Sequence, residues 1–126
     1  MKIYTTYFAR VSKLPEYIIP ISIAAKTPDP KMNTYKKLAP PWYVLKAYKD
    51  NENQEEYIKE YTRLVLSQLK PEDVVRAFAN MISTSGIPDD LDVALVCYEK
   101  TENFCHRHLV AKWLNEAGYE VKEWQP

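Results

Sequence analysis

Glycine is nearly missing from this chain, which has two in 126 residues, Gly86 and Gly118. A Gly-x-Gly-x-x-Gly fingerprint or a P-loop needs more than that, so the familiar dinucleotide and NTPase chemistries are disfavoured. Cysteine is equally scarce: Cys97 and Cys105 stand eight positions apart. In a reducing compartment such a pair is expected as thiols or ligands, and a disulfide framework is not. No apolar run approaches the ~18 residues of a membrane span. The opening stretch MKIYTTYFARVSKLPEY has no apolar core with a small-residue cleavage site. The expectation is a cytoplasmic protein with no membrane partner.

Net charge is also absent, with 17 basic and 17 acidic side chains. Its distribution is uneven: nine basic against three acidic in residues 1–50, and five against eleven in 51–104. A balanced chain is not drawn as a whole toward nucleic acid, so any polyanion contact would fall to a local patch.

What is present is 46% hydrophobic residues and 13% aromatic, ten of them Tyr, the composition of one packed domain over residues 1–126. Lys2 to Phe8 and Tyr17 to Ala24 are rich in β-branched and aromatic types and predict two strands. Pro20 cannot donate to a ladder, which puts it at an edge, a bulge or a strand start. The eight or so residues between the strands leave two options, an antiparallel pair or a minimal crossover. Lys26 to Pro41 has four prolines and no period, the mark of a loop. Lys26, Lys31, Lys36 and Lys37 with Tyr35 among them suggest a basic flap over an anion, or simply a solvated surface.

Pro41 opens a short helix, and Gln54 to Leu69 carries an apolar stripe of Tyr57, Ile58, Tyr61, Leu64, Val65 and Leu69. Pro71 opens a further helix with an expected end at Gly86. The run VALVCY from Val93 predicts a central strand covered on both sides. A helix from about Phe104 to Ala117, stopped by Gly118, and a short strand YEVKEW complete the chain. Helices between strands predict an α/β fold: a mostly parallel sheet of about four or five strands with helices on both faces.

In such sheets ligands gather at the carboxyl ends of the strands, which places the candidate site between Cys97 and His108. With Asn103 as N-cap, Cys105, His106 and Arg107 would fill the first helical turn. Helical phase then turns His106 toward the sheet, sets Arg107 and Cys105 on opposite flanks, and leaves His108 to solvent. Strand alternation puts Cys97 and Glu99 on one side, where Glu99 would orient Arg107 or His106, act as a base, or merely hold the loop. A thiol at a helix N-terminus beside a cation has the setting of a nucleophile, so Cys105 is a candidate for that role. Zinc held by Cys97, Cys105, His106 and His108 is chemically conceivable. The spacing matches no standard finger and neighbouring helical side chains diverge, so no metal and no cofactor is expected.

The pattern C-x-E-K-x4-C-H-R, formed by Cys97, Glu99, Lys100, Cys105, His106 and Arg107, resembles the family called domain of unknown function 488. The following HLVAKWLNEAGYEV extends the resemblance, and the amino half looks like a shorter branch of it. The resemblance implies an α/β sheet with its site at this motif. The wider family commonly carries Asp-Val-Arg at the end of its second strand, where this chain has Ile-Ala-Ala-Lys after Pro-Ile-Ser, with Ser22 and Lys26 nearest in position.

The leading expectation is a small phosphorylated, nucleotide-like ligand at this turn. Cys97, Lys100, Arg107, Arg10, Ser22, Lys26, Tyr35 and Lys36 would contact it, and Glu99, Cys105 or His106 would serve as acid, base or nucleophile if it turns over. The alternative is a non-catalytic module gripping nucleic acid or a protein partner through Arg10, Lys13, Lys26, Lys36 and Lys37. A third option is a motif that only locks its loop.

Overall fold

The computed structural model describes residues 1–83, 91–100 and 103–126. Among these residues five strands form one sheet: β1 (Ile3–Tyr7), β2 (Ile18–Ser22), β3 (Asn33–Thr34), β4 (Asp92–Cys97) and β5 (Val121–Glu123). Their order is β3-β2-β4-β1-β5, and every neighbouring pair is parallel. The expected α/β fold with a parallel sheet is therefore observed. The run VALVCY is central, flanked by β2 on one side and β1 on the other, with Val93 to Cys97 all buried.

Of the two options left for β1 and β2, the minimal crossover is the one observed: the strands run parallel, not as neighbours but on either side of β4. The chain passes between them through a tight 3-10 helix over Phe8–Lys13. Pro20 lies on the stretch of β2 that pairs with β4, while β3 pairs only with Ile21 and Ser22. Its missing N–H therefore faces a side with no strand partner, as expected for a proline in a strand.

Among the described residues four α-helices connect the strands: α1 (Trp42–Asn51), α2 (Gln54–Leu64) and α3 (Pro71–Ser83) between β3 and β4, and α4 (His106–Glu116) between β4 and β5. Each sends buried residues into a core that also holds Ile3, Ile21, Val93, Leu95 and Val121. These include Val44 from α1, Tyr57 and Tyr61 from α2, Val74 and Phe78 from α3, and Val110 and Leu114 from α4. By register those sheet residues share one face; Thr6, Ala94 and Val96, on the opposite face, are also buried. No helix among the described residues is long and apolar enough to cross a membrane.

Two boundaries and one stripe residue differ from the sequence pattern. The helix expected to reach Leu69 ends at Leu64 and tightens into a 3-10 turn over Leu66–Gln68. Ser67 and Gln68 both donate to the freed carbonyl of Arg63, and Pro71 disfavours helical geometry at the residue before it. Ile58, counted on the buried stripe, is exposed. At α4 the N-cap is Cys105, not Asn103, and the helix starts at His106. Gly118 does stop that helix, with φ +97° in the left-handed region where glycine carries no Cβ penalty. The expected end at Gly86 lies outside the described residues.

Candidate functional site

Because the strands are parallel, their carboxyl ends meet at one edge of the sheet. Register aligns Tyr7 with Cys97, and Ser22 with Val96 beside it, while β5 ends at Glu123 opposite Thr5. The N-terminus of α4 lands on this edge, so residues distant in the chain converge around Cys97.

Cys97 ends β4 and Cys105 caps α4, and the two are joined as a disulfide. This corrects the expectation of free thiols or ligands. The reason is the shifted helix start. As N-cap, Cys105 has extended backbone (φ −152°, ψ 147°), so its side chain is not bound by the helical phase that would have set it on the flank away from Arg107. It turns back toward the strand end instead. Ala24 and Phe8 pack around the pair.

Arg107 has no exposed surface. Its Nε and Nη2 donate to the two carboxylate oxygens of Glu123, at 3.1 and 2.7 Å. Its Nη1 donates to the Glu99 carbonyl at 2.6 Å and approaches Cys97 Sγ at 3.1 Å. Glu123 also accepts from the Thr5 hydroxyl at 2.6 Å. A guanidinium engaged this way holds β4, the following loop and β5 together; it presents no surface to a dissolved anion. Glu99 supplies its backbone and not its carboxylate, which sits on an exposed residue. The orienting carboxylate is Glu123, sixteen residues after Arg107. The sequence carried one signal for it, an acid in the last short strand, but that became meaningful only once β5 paired with β1.

His106 is buried and its Nε2 lies 2.7 Å from the Ile23 carbonyl. A carbonyl only accepts, so Nε2 carries the proton and Nδ1 keeps a free lone pair. That lone pair is 3.7 Å from Cys105 Sγ. Burial pushes the ring down to about 4 against a pull upward from the Ile23 bond, with Arg107 and His108 adding to the depression. His106 is therefore neutral at physiological pH, and the imidazolium invoked for an anion is not available. His108, expected in solvent, is half-buried.

The other candidates divide into two groups. Arg10 belongs to this edge: its guanidinium lies over the Tyr7 ring, 4.9 Å from its centre, and donates to the Trp124 carbonyl at 3.2 Å. Arg107 approaches the same ring at 5.7 Å, so Tyr7 is a further residue of the site that the sequence did not single out. Ser22 is buried, its hydroxyl accepting from the Ala24 N–H and the Thr27 hydroxyl, which shapes the turn leaving β2. Tyr35 is half-buried, with its ring edge-on to Phe78 and its phenol raised by burial and by Asp73. Lys26, Lys36 and Lys100 are exposed. These three lysines therefore add nothing to the buried contacts of the edge. A small cleft between α1 and α2, lined by Tyr43, Tyr48, Tyr57, Glu56 and Glu60, shares no residue with this edge.

A family model described as the active DUF488-N3 subclade matches residues 20–118. The chain belongs to this family. The DUF488-N3 match takes in the end of β2 and all of β4 and α4, and with them Cys97, Cys105, His106 and Arg107. Tyr7, Arg10 and Glu123 complete the same edge from outside the matched DUF488-N3 segment. No curated protein and no solved structure matches the chain.

Proposed function

We propose that the carboxyl edge of the sheet is a thiol-chemistry site in which Cys97 and Cys105 cycle between disulfide and dithiol. The observation that carries this reading is the Arg107 guanidinium, held 3.1 Å from Cys97 Sγ while its carboxylate partner fixes its position. A cation beside a sulfur stabilises the thiolate over the thiol. Cys105 is the less buried sulfur residue, 7% exposed against 1%, so it is the one an incoming small thiolate attacks. The new bond joins that thiolate to Cys105 Sγ, the Cys97–Cys105 bond breaks, and Cys97 leaves as a thiolate beside Arg107. A second thiolate attacks the incoming sulfur of the mixed disulfide, releasing an external disulfide and the Cys105 thiolate. When Cys105 carries a proton, its S–H has the lone pair of His106 Nδ1 in reach as a hydrogen-bond acceptor. The family's description as an active subclade fits a site that does chemistry, and a reducing cytoplasm is the setting in which such a pair turns over.

The test is a thiol count across glutathione buffers, by alkylation and intact mass. The reading expects no alkylated cysteine under oxidising conditions and two under reducing ones, in a single transition. Two free thiols persisting under oxidising conditions would overturn it.

A second reading keeps the phosphorylated, nucleotide-like ligand. It is favoured by Lys26 and Lys31 on the loop from β2 to β3, with Lys36 and Lys37 just after β3, all exposed and without an ion pair to any carboxylate among the described residues. Such a loop can close over an anion at the edge, with contacts from lysines and backbone amides in place of Arg107. A nucleic-acid backbone on the same lysines is the competing outcome, recognised by steep salt dependence.

A further inference from the structure

Three donor atoms converge at this edge: Cys97 Sγ, Cys105 Sγ and the available ring nitrogen of His106, all within 4.8 Å of one another and all on buried residues. From these atoms we propose that the reduced protein binds a thiophilic cation such as Zn2+ through Cys97, Cys105 and His106, so that the thiol pair is a metal site when reduced and a closed disulfide when oxidised. The inference rests on the proposal that the pair cycles, and the experiment below separates the two.

Three features beyond proximity support it. The first is the tautomer. A histidine ligand characteristically donates its other ring N–H to a carbonyl or carboxylate, which fixes the ring and leaves the ligating nitrogen unprotonated. His106 does this through Nε2 and the Ile23 carbonyl, and its remaining Nδ1 faces Cys105 Sγ at 3.7 Å. The second is the spacing of the backbone. The Cα atoms of Cys97 and Cys105 are 7.3 Å apart, beyond the ~4.4–6.8 Å usual for a disulfide. Two thiolates on one tetrahedral zinc, each ~2.3 Å from it, stand ~3.7 Å apart, and need a wider separation of their Cα atoms than a bonded pair does.

The third is electrostatic. A guanidinium near a metal site would repel the cation if it were unpaired. Arg107 stays cationic but its charge is balanced by Glu123, so the pair adds little net repulsion while Nη1 still donates to Cys97 Sγ. Neighbouring residues in a helix diverge, which argued against this ligand set at the level of sequence. Cys105 and His106 converge because one is the N-cap and the other the first helical residue.

The reaction balances simply. Reduction by two equivalents of an external thiol yields two protein thiols and one external disulfide. Binding of one divalent ion then displaces the two thiol protons to solvent. Three protein donors leave one tetrahedral position for water or an external thiolate, the arrangement of open zinc sites.

The experiment uses Co2+ as the probe, added under argon to the full chain after reduction and removal of reductant, with thiols counted before each addition. The inference expects one ion per chain and a near-ultraviolet sulfur-to-cobalt charge-transfer band, displaced by Zn2+. The oxidised protein should show neither. Cys105→Ser should weaken uptake by at least about tenfold, and His106→Gln should shift the visible Co2+ bands while retaining sulfur charge transfer. Two counted thiols with no charge-transfer band would overturn the metal site and leave the redox reading standing. Conversely, metal uptake by a chain whose cysteines never close into a disulfide would remove the redox reading alone. Because oxidised and reduced wild type are compared directly, a variant that fails to fold does not decide the result.

Discussion

Arg107 and the lysines at 26, 31, 36 and 37 are alike in sequence, cations near a proposed anion site, and opposite in the structure. Arg107 is fully buried and engages Glu123, the Glu99 carbonyl and Cys97. The lysines at 26, 31, 36 and 37 are exposed and unpaired among the described residues. Buried charge is expensive unless paired and hydrogen-bonded, so a cation with no exposed surface is committed to its partners. Exposed charge commits to nothing in the fold and remains available to a ligand. The arginine therefore organises the edge, and the lysines are the cations that an external anion can reach.

The largest effect should follow from removing the buried member. Arg107→Ala leaves the Glu123 carboxylate without its partner at a mostly buried position and removes the tie between β5 and the strand end. The expected loss is about 3–5 kcal/mol in chemical denaturation. A loss below about 1 kcal/mol would mean that the pair does not hold the edge, and the contrast with the lysines would collapse.

Next in size is the pH dependence of His106. Its folded pKa of about 4 lies below the ordinary 6.5 because burial disfavours the charged ring. The unfolded chain therefore takes up the proton first as pH falls. The stabilising contribution is complete above about pH 6.5 and is lost progressively toward pH 4, amounting to roughly 2–3 kcal/mol. The difference between wild type and His106→Gln, followed by denaturation from pH 7.5 to 4, isolates it from carboxylates common to both. A pH-independent difference would place the ring in solvent contact.

How far the sequence revealed this edge depends on the range of the interaction. The apolar run of β4 reads as a central strand because each of its residues is covered whatever the partners are. The helical phase of Val110 and Leu114 reads equally well, and so does Gly118. Cys105 did not, since a shift of the helix start from Phe104 to His106 changes which direction a sulfur points. Glu123 did not either, because its meeting with Arg107 requires β5 to pair with β1 across 118 residues of chain. The two-residue β3 carries no pattern at all; it exists because Ile21 and Ser22 offer an open ladder. Local chemistry was legible, and long-range partnership was not.

A smaller effect tests the exposed end of the contrast with a polar group that does have a local task. Asn53 accepts from the Glu56 N–H at 3.1 Å as the N-cap of α2. Asn53→Ala should cost about 1 kcal/mol, well under Arg107→Ala, because the released N–H is solvated. A cost equal to that of Arg107→Ala would show that burial is not what separates the two.

The smallest effect on stability is expected from the lysines themselves. Replacing Lys26, Lys36 and Lys37 together by Ala should change unfolding free energy by no more than about 0.5 kcal/mol per site, since no described contact is lost. The informative measurement is binding. With a panel of phosphorylated small molecules, wild type should gain thermal stability and the triple variant should not, while both retain the same cysteine redox transition. If single-stranded nucleic acid replaces the small molecules as the ligand, affinity should fall steeply with salt in wild type and the slope should flatten in the variant. Unchanged binding in the variant would remove the lysine loop from any anion site. The exposed cations would then be a solvated surface, and the thiol pair would be the one reactive feature proposed for the edge.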